Sequence, residues 1–205
     1  MKRMEALCAT SPYPSITEQI GISDPLSTSF MGTYSQPSPY RESSTMNHLV
    51  LLGDSIFDNR AYVAGGPAVI DQVKKTVPAG WKASLLAVDG NTSVQVPDQI
   101  EQLPSDCTHL VLSAGGNDAI GCLDLMGTPV PNLMGALGTL SKMLAEFEQS
   151  YKALMTGLLS LNKPLMVCTI YDSVPGLVDP LKLALALFND VIIRNAVSKL
   201  SLIHI

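Results

Sequence analysis

Three short stretches of the chain hold residues fit for chemistry: Gly53-Asp54-Ser55, Asp89-Gly90-Asn91 and Gly115-Gly116-Asn117-Asp118. A serine hydroxyl is a nucleophile. A glycine lets its backbone N–H come close to a ligand, because no side chain intervenes. An asparagine amide donates hydrogen bonds without carrying charge. A hydroxyl with two neutral donors is the outline of an acyl-transfer site, in which the donors hold the oxyanion formed when the hydroxyl attacks a carbonyl. Removing one such donor typically costs about 3–4 kcal/mol of barrier lowering. Taken singly, each stretch reads equally well as a turn, since Gly, Asp and Asn favour turns everywhere. Their joint placement decides, and that depends on the elements that carry them.

Continuous apolar runs alternate with helical patterns from residue 48 onward. "HLVLLG" (48–53), "KASLLAV" (82–88), "THLVLSAGGND" (108–118) and "PLMVCTIY" (164–171) read as strands. Between them, 65–78 opens with Gly and Pro and ends at Pro78 as an amphipathic helix, and a short helix is expected over 98–103. Residues 131–162 and 179–200 carry apolar residues at three- and four-residue spacing, as long helices do. Strands of this kind alternating with helices predict a parallel sheet covered on both faces, hence an α/β fold of three α/β/α layers, flavodoxin-like in form. Ligands of such sheets bind outside the carboxyl ends of the strands. The three chemical stretches all fall at those ends. There Ser55 is expected beside free backbone N–H groups at the start of the next segment, which favour negative charge.

The chain has 205 residues, 46% of them hydrophobic, and a net charge of −5. That suits one domain with a real core and gives no basic patch for nucleic acid. No apolar run approaches the roughly 18–20 residues of a membrane span. Cys8, Cys107, Cys122 and Cys168 form no C-x-x-C pair and have no histidine at metal-ligand spacing, so they read as small hydrophobes in a reduced, cytoplasmic compartment. Residues 1–45 are rich in Ser, Thr and Pro without apolar periodicity and read as a disordered leader; Glu5, Glu18, Asp24 and Glu42 argue against a transit peptide. The folded domain is expected over 46–200, starting at Met46. A doubly wound sheet usually has a fifth strand, and none is readable here. The last residues, "LSLIHI", follow the helix without a loop, and 201–205 look non-native. Together these predict a domain truncated before its last strand and helix.

The three stretches resemble the conserved blocks of the GDSL esterases and lipases, also called SGNH hydrolases. Gly53-Asp54-Ser55 matches the first block, Gly90 the glycine of the second, and "GGND" at 115–118 the GxND of the third. The resemblance covers about 48–200. It implies that Ser55 is the nucleophile. The Ser55 N–H, the Gly90 N–H and the Asn117 side chain would then form the oxyanion hole. The implied substrate is a small-molecule ester or thioester, with no cofactor and no metal. The match stops at the fourth block, the DxxH near the C-terminus that supplies a histidine base: no DxxH follows the third block. His48 and His109 begin strands at the opposite edge, and the seven residues from His48 to Ser55 span about 20 Å. His204 lies in the suspect tail. The chain contains no G-x-S-x-G, so the nucleophile elbow of the α/β-hydrolases is not its pattern.

Plainer roles stand beside these. Asp54 is expected to fix its turn by accepting backbone hydrogen bonds, and Asp89 and Asp118 to cap turns. Asp58 and Asn59 suit helix-start or solvent positions as well as a site. Asp172 sits past the fourth strand, with a turn role expected over a substrate contact. The methionines at 126, 134, 143 and 155 suit a helix face, and Trp81 packing. Two other functions remain open: a non-catalytic protein binding a small acyl or sugar ligand, and a flavodoxin-like nucleotide binder. The second lacks any phosphate-loop fingerprint.

Overall fold

In the computed structural model of the chain, residues 46–172 and 176–199 are described. The leader assigned to 1–45, the tail at 201–205, His204 and Cys8 lie outside them. Four strands form one parallel sheet: β1 (Asn47–Gly53), β2 (Trp81–Leu85), β3 (His109–Ser113) and β4 (Leu165–Cys168), in the order β2-β1-β3-β4. The helices are α1 (Val69–Thr76), α2 (Val96–Ile100), α3 (Gly116–Gly121), α4 (Leu123–Met126), α5 (Leu133–Ser160) and α6 (Asp179–Lys199). The expected parallel α/β sheet is present.

The period-2 alternation of side chains along β1 builds the three layers. Val50 and Leu52 enter one core with Leu110, Leu112, Tyr151, Leu154 and Ile192, beneath α5 and α6. Leu49 and Leu51 face the other side, where Phe57 and Ile70 of the α1 layer cover them. Both faces of β1 are thus dry, which is why its sequence is apolar without a break.

Several boundaries differ from the sequence reading: the fourth strand stops at Cys168 rather than 171, the short helix is Val96–Ile100 rather than 98–103, and three others differ for a local reason. The second strand ends at Leu85 although Leu86-Ala87-Val88 is apolar. The N–H groups of Leu86 and Ala87 both turn to the one carbonyl of Leu51, at 2.9 and 3.0 Å, and this breaks the ladder. The third strand ends at Ser113, and "GNDAIG" is helix α3 rather than a strand exit. The helix α4 was not expected at all. Helix α1 starts at Val69, where Asn59 Oδ1 accepts the Val69 N–H (2.9 Å) and Asp71 Oδ2 accepts the Ala68 N–H (3.1 Å). Asn59 therefore does helix-start work, capping from a distance.

Candidate active site

The end of β1 is held in a narrow place. Gly53 has φ +129°, and a Cβ there would stand 1.7 Å from the Ser113 carbonyl oxygen. No L side chain fits. On its other flank the Gln99 amide bonds both polar groups of Gly53: Oε1 accepts the Gly53 N–H and Nε2 donates to the Gly53 carbonyl, each at 2.8 Å. Beyond Leu51, where the β2 register stops, a buried glutamine side chain pairs with Gly53 alongside the Val88 N–H, which also donates to the Gly53 carbonyl at 3.1 Å. Nothing in the local sequence singled it out.

The chain then turns once. The Asp54 carbonyl accepts the N–H groups of Phe57 and Asp58, both at 3.1 Å. Asp54 Oδ1 accepts the Ile56 N–H at 3.1 Å, the turn-fixing role expected of it. The Asp54 carboxyl is nearly inaccessible, and burial pushes it up to about 6 against the Ile56 N–H that lowers it; Asp118 and Asp89 add repulsion. Ser55 is the first residue within this turn and is half-buried. Its hydroxyl has no hydrogen-bond partner among the described residues.

Side chains tie the second and third stretches to the first. Asp58 Oδ2 accepts the Asp89 N–H (3.0 Å), and the Tyr62 hydroxyl donates to Asp89 Oδ2 (2.5 Å). Gly90 follows, exposed, at φ +83°. Asn117 Nδ2 donates to the Asn91 carbonyl at 2.9 Å, which fixes the amide and leaves its second hydrogen for a ligand. Asp118 accepts both the N–H (2.9 Å) and the hydroxyl (2.6 Å) of buried Ser93. All three stretches therefore meet at the carboxyl edge of the sheet, linked through Asp58–Asp89, Asn117–Asn91 and Asp118–Ser93. Asp89 and Asp118 hold loops, as expected.

Beneath the site lies Tyr151, fully buried. Its hydroxyl has no hydrogen-bond partner among the described residues, and burial raises its phenol far above the ordinary range. Cys168 at the end of β4 is also raised, to about 11, by burial first and by the Asp54 charge second. Neither belonged to the sequence-derived site.

The histidines are elsewhere. His48 Nδ1 lies 2.8 Å from Asp106 Oδ1, and Nε2 lies 2.7 Å from Ser84 Oγ. His109 Nδ1 meets Thr108 Oγ1 at 2.8 Å, and its ring packs on Trp81 with centroids 4.5 Å apart. Both sit at the amino edge, as expected. Among the described residues, no histidine stands at the Ser55 edge.

No protein-family model matches the chain, and no curated protein matches it. Solved structures do. The esterase AlinE4, in a mutant form, is 16% identical over 75% of this chain and 72% of its own, with a TM-score of 0.52. Axe2, an acetylxylan esterase from Geobacillus stearothermophilus, is 18% identical over 75% of this chain and 73% of its own, also with a TM-score of 0.52. A catalytic mutant of Axe2 reaches 0.54 at 17% identity, covering 74% of this chain and 72% of that one. The likeness is one of fold. At these identities it carries the architecture of esterases and leaves the chemistry to the residues.

Proposed function

We propose that this chain is a serine hydrolase of the GDSL/SGNH type, acting on carboxylic esters or thioesters through an acyl-enzyme. One observation carries the reading: the Ser55 hydroxyl, unpaired among the described residues, shares a sheet edge with the Gly90 turn and the fixed Asn117 amide, in loops linked by side chains. Ser55 Oγ attacks the carbonyl carbon, and the carbonyl oxygen takes the negative charge. The Ser55 and Gly90 N–H groups and the free Asn117 hydrogen receive that charge. The alcohol or thiol leaves with a proton, and water then releases the acid. The fold shared with esterases supports the reading. Free thiols at Cys107, Cys122 and Cys168 extend it to a reducing, cytoplasmic setting.

The proton leaving Ser55 needs a base, and neither His48 nor His109 is at this edge. A serine hydroxyl without a base reacts slowly, and donors alone leave only a small part of an intact enzyme's rate. That observation favours a second reading, in which the site binds an acyl or sugar ligand without turnover. Labelling with a fluorophosphonate separates the two, because the probe needs an activated serine. The hydrolase reading expects slow labelling of the chain, faster labelling when imidazole supplies a base, and none in Ser55→Ala. A folded chain that stays unlabelled with imidazole present overturns it in favour of ligand binding.

A further inference from the structure

Gly53 stands where the three stretches join. Its neighbour Asp54 donates its N–H to the Ser113 carbonyl at 3.1 Å, shortly before Asn117 in the chain. The Gly53 carbonyl accepts the Val88 N–H at 3.1 Å, shortly before Gly90. Ser55 follows Asp54 directly. The relative positions of Ser55, Gly90 and Asn117 therefore pass through Gly53.

No side chain of its own holds Gly53 in shape. It sits at φ +129°, where glycine is permitted but not confined. Within a sheet the ladder would confine it. On the β3 flank the ladder does run to Gly53, opposite Ser113, but on the β2 flank it ends at Leu51. There the Gln99 amide takes up both polar groups. Its Oε1 accepts the Gly53 N–H and its Nε2 donates to the Gly53 carbonyl, each at 2.8 Å. Two bonds from one planar group fix an orientation, where a single bond would leave a pivot. Gln99 is 1% exposed, so water does not compete for them. Beyond this anchor, the Ser55 and Gly90 N–H groups have no acceptor among the described residues. Two such donors serve one oxyanion only while their spacing is held.

We propose that Gln99 is a positioning residue: by clamping Gly53 it sets the spacing of the Ser55 and Gly90 N–H groups, and with it the reactivity of Ser55. Gln99 acts through Gly53 and touches no substrate. The reactivity rests on the hydrolase reading, but the spacing itself requires no reaction.

Gln99→Glu tests the clamp. A protonated carboxyl keeps both bonds, whereas an ionised one cannot donate to the Gly53 carbonyl. Fluorophosphonate labelling of Ser55 in the whole 205-residue chain, with imidazole present, is followed from about pH 5 to 9, across which a buried carboxyl loses its proton. Asp54 beyond Gly53, and the exposed Asp98 and Glu101 beside Gln99, are common to parent and variant, so the ratio of the two rates cancels their titration. That ratio is expected near one at the acid end and lower by roughly ten- to a hundred-fold at the alkaline end. The probe concentration for half-maximal rate stays unchanged, since probe binding does not use the clamp. Gln99→Met keeps the length, loses both bonds and should label slowly at every pH. In heteronuclear NMR spectra of Gln99→Glu, the Ser55 and Gly90 amide shifts should move with the midpoint of the ratio, while the Gly80 amide at the amino edge stays. A ratio that is flat across pH overturns the proposal, as does a Gln99→Met variant that labels like the parent. Ser55 and Gly90 amides that stay while the introduced carboxyl titrates overturn it too. So does loss of the native circular dichroism in both variants, which would make Gln99 a residue of the core and not of the site. A parent that stays unlabelled removes the hydrolase reading alone, and the amide shifts still judge the clamp.

Discussion

At the carboxyl edge of the sheet, among the described residues, the Ser55 hydroxyl has no hydrogen-bond partner and no histidine stands near it. At the amino edge, Ser84 has a histidine and an aspartate in line: Ser84 Oγ to His48 Nε2 at 2.7 Å, and His48 Nδ1 to Asp106 Oδ1 at 2.8 Å. The Asp106 carboxyl is held down to about 2, first by the hydrogen bond from Lys82 and then by that from His48, so it is ionised and can only accept. A carboxylate can only accept, so the ring nitrogen facing it, Nδ1, carries a proton, which leaves Nε2 to meet the Ser84 hydroxyl. That is the connectivity of a catalytic triad, yet the surroundings are those of a sheet. Ser84 is registered against Val50 in the ladder. The nearby donors are spent, the His48 N–H on Thr108 Oγ1 and the Asn47 N–H on the Gly80 carbonyl. A base without an oxyanion pocket is a clamp between strands. On the proposed reading, Ser55 without a base is a slow nucleophile. The pair shows that a triad is defined by the space its serine faces as much as by its hydrogen bonds.

The largest test of this contrast is steric. Gly53→Ala puts a methyl 1.7 Å from a backbone oxygen at the site edge, and a loss of about 4 kcal/mol or more is expected in urea unfolding. Gly80→Ala at the other edge, with φ +82° but open space around it, should cost only about 1 kcal/mol. Equal losses would mean that the two edges are equally tight. Next comes reactivity. Peptide mapping after fluorophosphonate treatment should find the label on Ser55 at least 100-fold over Ser84, and Ser84→Ala should leave labelling unchanged. Label on Ser84 would reverse the assignment of clamp and site.

The third test uses pH. Burial raises Asp54 from 3.8 to about 6, so the folded chain binds that proton more tightly than the unfolded one. Stability from this group therefore falls as pH rises from 4 to 6, by about 3 kcal/mol at most. Asp106 works the other way: its depressed value contributes stability above pH 4 that is lost as pH falls toward 2. Asp54→Asn keeps an acceptor for Ile56 and should flatten the window between pH 4 and 6. It should gain about 1–2 kcal/mol at pH 7 and leave the acid limb intact. An unchanged slope between pH 4 and 6 would remove Asp54 as its source. The smallest effect is expected beneath the site. Tyr151→Phe deletes a buried hydroxyl without a partner among the described residues and should be neutral or stabilising by up to about 1 kcal/mol in thermal unfolding. A loss above 2 kcal/mol would reveal a partner for that hydroxyl.

The strands and long helices were legible because burial on both faces writes itself as unbroken apolar runs, and helix burial as spacing of three and four. The three chemical stretches were legible for another reason: glycine and a polar residue directly after such a run mark a strand's end. Helix α3 was not, because two glycines head "GGNDAIG" and propensity alone argues for a loop. The clamp was not legible at all. His48, Ser84 and Asp106 come together only through the registers of β2 and of β3 on β1, and no local pattern encodes a register across 36 and 58 residues. Gln99 escaped for the same reason. Its partner is a backbone 46 residues away.

The strand order β2-β1-β3-β4 has a consequence for the protein's birth. The first strand made is the central one, and it gains its neighbours as β2 and then β3 emerge. Every group of the candidate site has been translated by Asp118. The side chains that seal its underside, Phe147 against Gly115 and the buried Tyr151, come later on α5. From residue 118 to residue 151 is 33 residues, or roughly 2–7 s of synthesis at 5–20 residues per second. For those seconds a nascent chain holds the Ser55, Gly90 and Asn117 loops over an open apolar floor, and that is the interval in which chaperones have something to hold.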